Sequence, residues 1–279
     1  MGASRFLVVN GRPHAGDVPP VSTLLESLPG AYTTTRTHGN ATILLFWERH
    51  LRRLSNSVRL LADHRPDLLG GPDSTDHSSI RTLVGESLPM GLGLALAEMD
   101  EEITELAVTA LVCSGGVSGS GALDLYLHIG FYVPPVFGAV GARLAIAGRG
   151  RDIADAKYSQ WARVRKDLEK MRPPMVTELL LSNDGDRILE GSVTNFFVVC
   201  KAECREPNDS TYNFDKESSF ELQTAPTTDG VLSGVMRQIV IEVCSSLRIP
   251  LREVAPSWSD RELWKEAFIT RGDIIKNRI

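Results

Sequence analysis

The spacing of apolar positions changes several times along this chain, and each change marks an element. Phe6 to Val9 is a short apolar run that stops at Asn10-Gly11, a pair suited to a tight turn because both residues tolerate positive φ. Residues 12–30 are rich in Pro and Gly and read as loop, with a short helix at 22–28. Ala31 to Thr37 is β-branched and weakly alternating, and Thr42 to Phe46 follows a Gly39-Asn40 turn, so 31–46 reads as a hairpin. From Trp47 the period lengthens. Trp47, Leu51, Leu54, Val58 and Leu61 recur every three or four residues, as on one face of a helix. Arg49, Arg52, Arg53 and Arg59 lie on its flanks, where the ordinary reading is a solvated face. A polar linker at 63–77 leads to a helix from Ser78 to Leu88 and an apolar patch reaching Met99. Ile103 to Cys113 and Leu123 to Val133 read as strands around the glycine-rich loop 115–121. A strand and not a helix follows that loop, so the geometry of a phosphate-cradling P-loop is missing.

Pro134-Pro135, with Gly138 and Gly141, is the best interdomain linker. It divides a smaller N-terminal domain, 1–133, from a larger C-terminal domain, 142–279, across residues 134–141. The second part reads as a strand at 142–147, a helix at 159–171 and a hairpin at 177–199 that turns at Asn183-Asp184-Gly185. A polar insertion at 200–219 follows, then a helix at 233–247 with Ser233 as its N-cap. A strand at 251–254, a helix at 259–264 and a strand at 267–270 close the chain. Strands and helices mix in both parts without regular βαβ alternation, which predicts an α+β fold.

Composition narrows the function. Apolar residues at 42% and charged residues at 23% are the proportions of a soluble globular protein. A net charge of −5 gives no basic footprint, so nucleic acid and anionic membranes are not expected partners. The four cysteines are scattered. Cys200 and Cys204 could clip a metal, but no second pair or nearby histidine completes a site, so no metal is expected. No apolar run is long enough for a signal peptide or a membrane span, and the cytoplasm is the expected location.

Against this background a polar patch stands out in the hairpin: Glu190, Gly191, Ser192, Thr194 and Asn195 between apolar strands. Such residues are poor strand formers and suggest a task other than packing. Lys157 lies earlier, between a strand and a helix, and Gly230-Val-Leu-Ser-Gly-Val-Met-Arg opens a helix later. A lysine at a strand end, an acid on a neighbouring hairpin and a glycine-bearing helix N-terminus are the parts that pyridoxal phosphate needs. They serve respectively as Schiff-base amine, partner of the pyridine nitrogen and phosphate cradle.

Ile188-Leu-Glu-Gly-Ser-Val-Thr-Asn-Phe-Phe197, followed by Leu232-Ser-Gly-Val-Met-Arg237, resembles the fold-type IV pyridoxal-phosphate enzymes. These are the class IV aminotransferases: branched-chain and D-amino acid aminotransferases, and their relative 4-amino-4-deoxychorismate lyase. Val8-Val-Asn-Gly11 is similar to the family's opening strand, Gly30-Ala-Tyr-Thr-Thr-Thr-Arg36 to its Gly-x-Phe-Glu-Thr-x-Arg strand, and His50-Leu-Arg-Arg-Leu54 to its His-x-x-Arg-Leu helix. Together the motifs span nearly the whole chain.

The resemblance implies a two-domain fold of the D-amino acid aminotransferase type, a homodimer, and an amino acid or oxo acid as substrate. It makes Lys157 the Schiff-base lysine that also shuttles the Cα proton, and Glu190 the partner of the pyridine nitrogen. Arg53 and the backbone N–H groups of Val235 and Met236 would hold the phosphate, Leu232 would pack on the ring, and Thr194 and Asn195 would lie near the cofactor. Arg36 is either a substrate anion anchor or a plain strand residue. Lys166 and Lys170 could compete with Lys157, but they fall among charged helix neighbours and read as solvated.

Departures from the family pattern bear on the reaction. Met236 replaces the usual Thr, and Ser-Gly-Val-Met-Arg-Gln is closer to the lyases. Tyr158-Ser-Gln replaces the Gly-Asn-Tyr of branched-chain enzymes, and Val112-Cys113-Ser114-Gly115 lacks the carboxylate-binding Arg of D-amino acid enzymes. The family's small polar phosphate ligand falls near Gly272, and the Val-x-Pro-Val ending is absent, which implies a chain truncated or alternatively spliced at its C-terminus. Aminotransfer to a 2-oxo acid is the expected activity. The alternatives are a lyase-type β-elimination and a catalytically impaired, truncated protein of the same fold.

Overall fold

A computed structural model describes residues 4–69, 77–100, 105–115, 122–134, 141–201, 220–271 and 274–277. Most of the glycine-rich loop 115–121, nearly all of the polar insertion 200–219 with Cys204, most of the linker 134–141 and Gly272 lie outside the described residues. The chain folds as two compact units, residues 1–136 with 155–167 and residues 137–154 with 168–279.

The first unit is built on a six-stranded sheet of order β2-β1-β6-β5-β3-β4. Its strands are β1 (Arg5–Val9), β2 (Arg12–Pro13), β3 (Ala31–His38), β4 (Ile43–Leu44), β5 (Glu105–Ser114) and β6 (Leu123–Tyr132). Asn10 and Gly11 adopt φ of 48° and 74° and turn β1 into β2 as their sequence predicts. β4 is only two residues long, shorter than the expected 42–46 strand, because Asn40 and Ala41 both take up left-handed φ just before it. The buried carboxylate of Glu105 holds that turn, accepting from the Thr37 hydroxyl at 2.6 Å, Asn40 N at 3.1 Å and Ala41 N at 3.2 Å.

Helix α1 (Val21–Ser27) lies before β3, and α2 (Trp47–His64) follows β4 with Leu51, Leu54, Val58 and Leu61 buried as the period predicts. A single turn, α3 (Pro66–Leu69), precedes α4 (His77–Ala97). α4 corrects the sequence reading, which stopped a helix at Leu88: it continues through Pro89 for 21 residues. Its packing on the sheet outweighs the lost N–H. At Gly91 the helix comes so close that an added Cβ would lie 2.8 Å from Ile129 Cδ1. The opposite face of the sheet carries a cluster of Leu7, Tyr32 and Leu111 with Leu24 and Leu25 of α1 and Ala162.

In the second unit, β7 (Leu144–Ile146), β8 (Glu178–Leu181) and β9 (Glu190–Gly191) form one sheet. The strands β10 (Asn195–Lys201), β11 (Phe220–Thr224), β12 (Leu251–Glu253), β13 (Trp264–Arg271) and β14 (Ile274–Asn277) form another, of order β12-β11-β10-β13-β14. Helix α5 (Trp161–Lys170) connects the units in sequence, and α6 is Val235–Ser246. The expected 177–199 hairpin is thereby corrected. β8 pairs antiparallel with β9 around Gly185, but β10 leaves that sheet and pairs with β11 and β13. Ser192 to Thr194 carry the chain across. Ser192 N donates both to Leu179 O on β8 at 2.8 Å and to Glu178 Oε1 at 3.0 Å, and Ser192 Oγ donates to the same Oε1 at 2.7 Å.

Phe196 and Phe197 point to opposite faces of β10 and are both fully buried. Phe196 packs with Leu180, Ile188 and Ile269, whereas Phe197 stacks on Phe268 with centroids 5.0 Å apart. Burial of each ring stabilises by about 1.5–3 kcal/mol. The expected 259–264 helix is a 3₁₀ segment, Trp258–Leu263.

Candidate active site

In the first unit the Lys157 segment is fixed through its backbone. Lys157 N donates to Ser57 Oγ at 3.1 Å, and Lys157 O accepts from Tyr32 N at 2.9 Å. Tyr158 bridges to Ala31 on the edge of β3. Ser159, fully buried, staples the next residue: its Oγ donates to Leu28 O at 2.7 Å and accepts from Gly30 N at 3.0 Å. The side chain of Lys157 is half-buried, with Nζ 4.6 Å from the Tyr32 ring centroid. Lys166, by contrast, points to solvent and pairs with Glu26 at 2.9 Å, and Lys170 is exposed.

Arg53 projects from α2 beside this segment. Its Nη2 donates to Thr33 Oγ1 at 2.8 Å and lies 3.4 Å from His50 Nδ1, and that same Nδ1 is 3.0 Å from Thr33 Oγ1. His50 is 1% exposed. Burial first, then the charges of Arg53 and Lys157, push its imidazole down to about 3, so it is neutral at ordinary pH. Arg36 is half-buried further along β3, its guanidinium 5.7 Å from the Tyr132 ring centroid. It shares a strand face with Tyr32, about 13 Å along the strand. A cavity of about 200 Å³ in this unit is lined by Leu25, Pro29, Arg65, Tyr158, Gln160 and Arg163 among others; neither Lys157 nor Arg53 lines it.

In the second unit Glu190 is 1% exposed. Arg151 Nε lies 2.9 Å from Glu190 Oε1, with the arginine side chain itself 6% exposed. Oε2 accepts from Leu232 N at 3.3 Å and Asn195 Nδ2 at 3.4 Å, and the same Nδ2 donates to Leu232 O at 2.9 Å. This pairing compensates the burial of both charges. Val235, 1% exposed, begins α6, and Met236 follows. The N-cap is Gly234, not the expected Ser233, whose hydroxyl instead accepts from Gln238 Nε2 at 2.9 Å. A Cβ at Gly234 would fall 2.1 Å from Asn195 Oδ1, so the start of the helix is pressed onto Asn195.

No side chain caps the α6 N-terminus. Thr194 Oγ1 is buried and has no hydrogen-bond partner among the described residues; nor has the Thr270 hydroxyl, on the residue paired with Asn195 across β10 and β13. Helix N–H groups and buried hydroxyls with bonds still to make suit an anionic ligand. These residues therefore fit the phosphate group that the sequence resemblance implies.

The site residues named from sequence thus fall into two sets, Arg36, Arg53 and Lys157 in the first unit and Glu190, Thr194, Asn195, Leu232, Val235 and Met236 in the second. Sequence reasoning missed Ser57, Arg151, Glu178 and Thr270. His50, Tyr32 and Thr33 were visible only as motif letters. Nothing in Arg149-Gly-Arg151-Asp marks the side chain of its second arginine as buried.

Comparison with known proteins adds the family. The profile of the family "Amino-transferase class IV" matches residues 140–272. No curated protein matches the chain. Among solved structures, a hypothetical aminotransferase from Mycobacterium tuberculosis in its apo form is similar with a TM-score of 0.70 at 16% identity, over 99% of this chain and 90% of that one. The PLP-bound form has a TM-score of 0.67 at 15% identity, over 98% and 89%. The 4-amino-4-deoxychorismate lyase from Pseudomonas aeruginosa has a TM-score of 0.63 at 18% identity, over 98% and 90%. These likenesses establish a shared fold. Residues 140–272 of this chain match the amino-transferase class IV family, and the fold it shares is that of enzymes of that kind.

Proposed function

We propose that this protein is a pyridoxal-phosphate-dependent aminotransferase that moves an amino group between an amino acid and a 2-oxo acid. The observation that carries this reading is the set around Glu190: a buried carboxylate held by Arg151, Leu232 N and Asn195, next to an uncapped helix start and the unpartnered Thr194 hydroxyl. When bound, pyridoxal phosphate supplies an aldehyde for the amine and a ring that accepts the electron pair of Cα.

The chain's own residues do the rest. Lys157 Nζ supplies the resident amine, gives way to the substrate amine, and then takes the proton from Cα and returns it on the other side of the transfer. Glu190 holds a proton at the pyridine nitrogen. Its fixed partners keep the carboxylate oriented for that purpose. Arg53 and the N–H groups of Val235 and Met236 bind the phosphate, with Thr194 and Asn195 near it and Leu232 against the ring. Arg36 binds the substrate carboxylate. A homodimer in the cytoplasm completes the proposal; no helix among the described residues is long and apolar enough to cross a membrane.

One observation favours a second reading. Ser233-Gly-Val-Met-Arg-Gln238 is closer to the lyase pattern, and the Pseudomonas lyase shares the fold, so β-elimination from an aminodeoxychorismate-like substrate is the runner-up. The test is an absorption spectrum of the protein with pyridoxal phosphate, before and after borohydride, beside Lys157→Ala. A yellow band that borohydride abolishes, absent from the variant, supports the cofactor and the lysine. Absence of the band from the native chain overturns the proposal. Screening amino donors against 2-oxo acids, with pyruvate release as the other arm, separates transfer from elimination.

A further inference from the structure

Helix α2 brings two nitrogen-bearing side chains of one turn, His50 and Arg53, against a single hydroxyl on β3, that of Thr33. The donors and acceptors of this cluster can be assigned by elimination. A guanidinium only donates, so Arg53 Nη2 donates to Thr33 Oγ1 at 2.8 Å. The hydroxyl proton of Thr33 then has His50 Nδ1, 3.0 Å away, as its acceptor. Nδ1 also faces Arg53 Nη2 at 3.4 Å, again a donor. Both groups that meet Nδ1 therefore bring hydrogens to it, and the nitrogen must present its lone pair. The ring proton belongs on Nε2. A second ring proton would set three cationic groups together, since Arg53 and Lys157 both act on this imidazole, and burial opposes it further.

We propose that His50 is a positioning residue for Arg53: its bare Nδ1 fixes the direction of the Thr33 hydroxyl, which fixes the guanidinium in turn. The ring of Trp47 lies near that of His50, with centroids 6.4 Å apart and planes 25° from parallel, which limits ring rotation. Arg53 is thereby held in one orientation before any ligand arrives, and the ordering cost of binding falls. The functional part of this inference rests on the reading of Arg53 as a phosphate ligand; the hydrogen-bond relay does not.

Two measurements on the full chain test it separately. Side-chain nitrogen NMR of the native protein, with and without pyridoxal phosphate, should show His50 protonated at Nε2 only at pH 7. It should also show hindered rotation of the Arg53 Nη groups, lost in His50→Phe and in the nearly isosteric Thr33→Val. A proton on Nδ1, or unchanged Arg53 rotation in both variants, overturns the relay whatever the protein binds.

The second measurement compares affinity for pyridoxal phosphate with that for pyridoxal, which lacks the phosphate. His50→Phe and Thr33→Val should weaken pyridoxal phosphate by about tenfold or more and leave pyridoxal unchanged. His50→Asn, whose Oδ1 can accept in place of Nδ1, should retain most of the affinity. Equal weakening of both ligands would mean that His50 only packs, and overturns the positioning role. Failure of the native chain to bind either ligand would sink the cofactor reading, and the NMR result would then decide the relay alone.

Discussion

Lys157 and Glu190 are held in opposite ways. Lys157 is fixed by its backbone, through Ser57 Oγ and Tyr32 N, while its half-buried side chain extends over an aromatic ring. Glu190 is fixed by its side chain: one oxygen faces Arg151, the other meets Leu232 N and Asn195 Nδ2, and the whole residue is 1% exposed. The difference follows from what each must do in the proposed reaction. An amine that is displaced and then carries a proton needs a rigid anchor and a mobile tip. A carboxylate that holds one proton throughout needs a rigid tip. The flexible four-carbon stem of a lysine would be frozen if its ammonium were buried in ion pairs, and a free carboxylate would turn to water.

The comparison can be broken most sharply at Lys157. Lys157→Ala should remove the borohydride-sensitive band and lower turnover by about a thousandfold or more, with a change in urea stability small beside that loss, because the side chain is only half-buried. Next in size is Arg151→Met, which leaves a buried carboxylate without its guanidinium. It should cost about 3–5 kcal/mol in urea unfolding, and adding Glu190→Gln should restore much of that. Full stability in the single variant would show that Glu190 is held by the amide groups alone.

Acid provides the third test. His50 has a folded pKa of about 3, lowered by burial, Arg53 and Lys157, against 6.5 in the unfolded chain. Between those values the unfolded chain takes up a proton that the folded protein refuses, so stability is lost as pH falls. The slope approaches about 1.4 kcal/mol per pH unit. Unfolding midpoints measured from pH 7 to pH 4 should therefore fall less steeply in His50→Phe than in the native chain. The smallest effect is Ser57→Ala. It strips the acceptor from Lys157 N and should cost about 1–2 kcal/mol, with a loss of activity larger than the stability change predicts.

Legibility in sequence followed a physical division. The buried face of α2 was readable because Leu51, Leu54, Val58 and Leu61 repeat with the helix period. The turn at Asn10-Gly11 was readable because few residue pairs tolerate two positive φ values. Other features depend on partners distant in sequence. Pro89 reads as a stop signal, and only packing of α4 on the sheet carries the helix past it. Phe196 to Val199 alternate identically whether β10 pairs with β8 or with β11 and β13, so the change of sheet was invisible. Ser233 is a better N-cap type than Gly234, but the closeness of Asn195 admits only glycine there. In the candidate site, Lys157, Glu190 and Arg53 were proposed through motifs. Arg151 and Thr270 were not, because burial of an arginine or a threonine leaves no local signature.

The Ser159 staple also bears on how the protein is made. Ser159 is bonded to Leu28 and Gly30, about 130 positions earlier, and Lys157 to Ser57, 100 positions earlier. Residues 155–167 belong to the first unit although they come after the opening stretch of the second. On a ribosome adding about 5–20 residues per second, the first unit waits several seconds after residue 57 appears before Lys157 can meet it. Closure of such a long loop is slow by its own entropy. A nascent chain halted between residues 136 and 155 would hold the strands and helices of the first unit without the segment that completes it, a species that pulse proteolysis of stalled chains would detect.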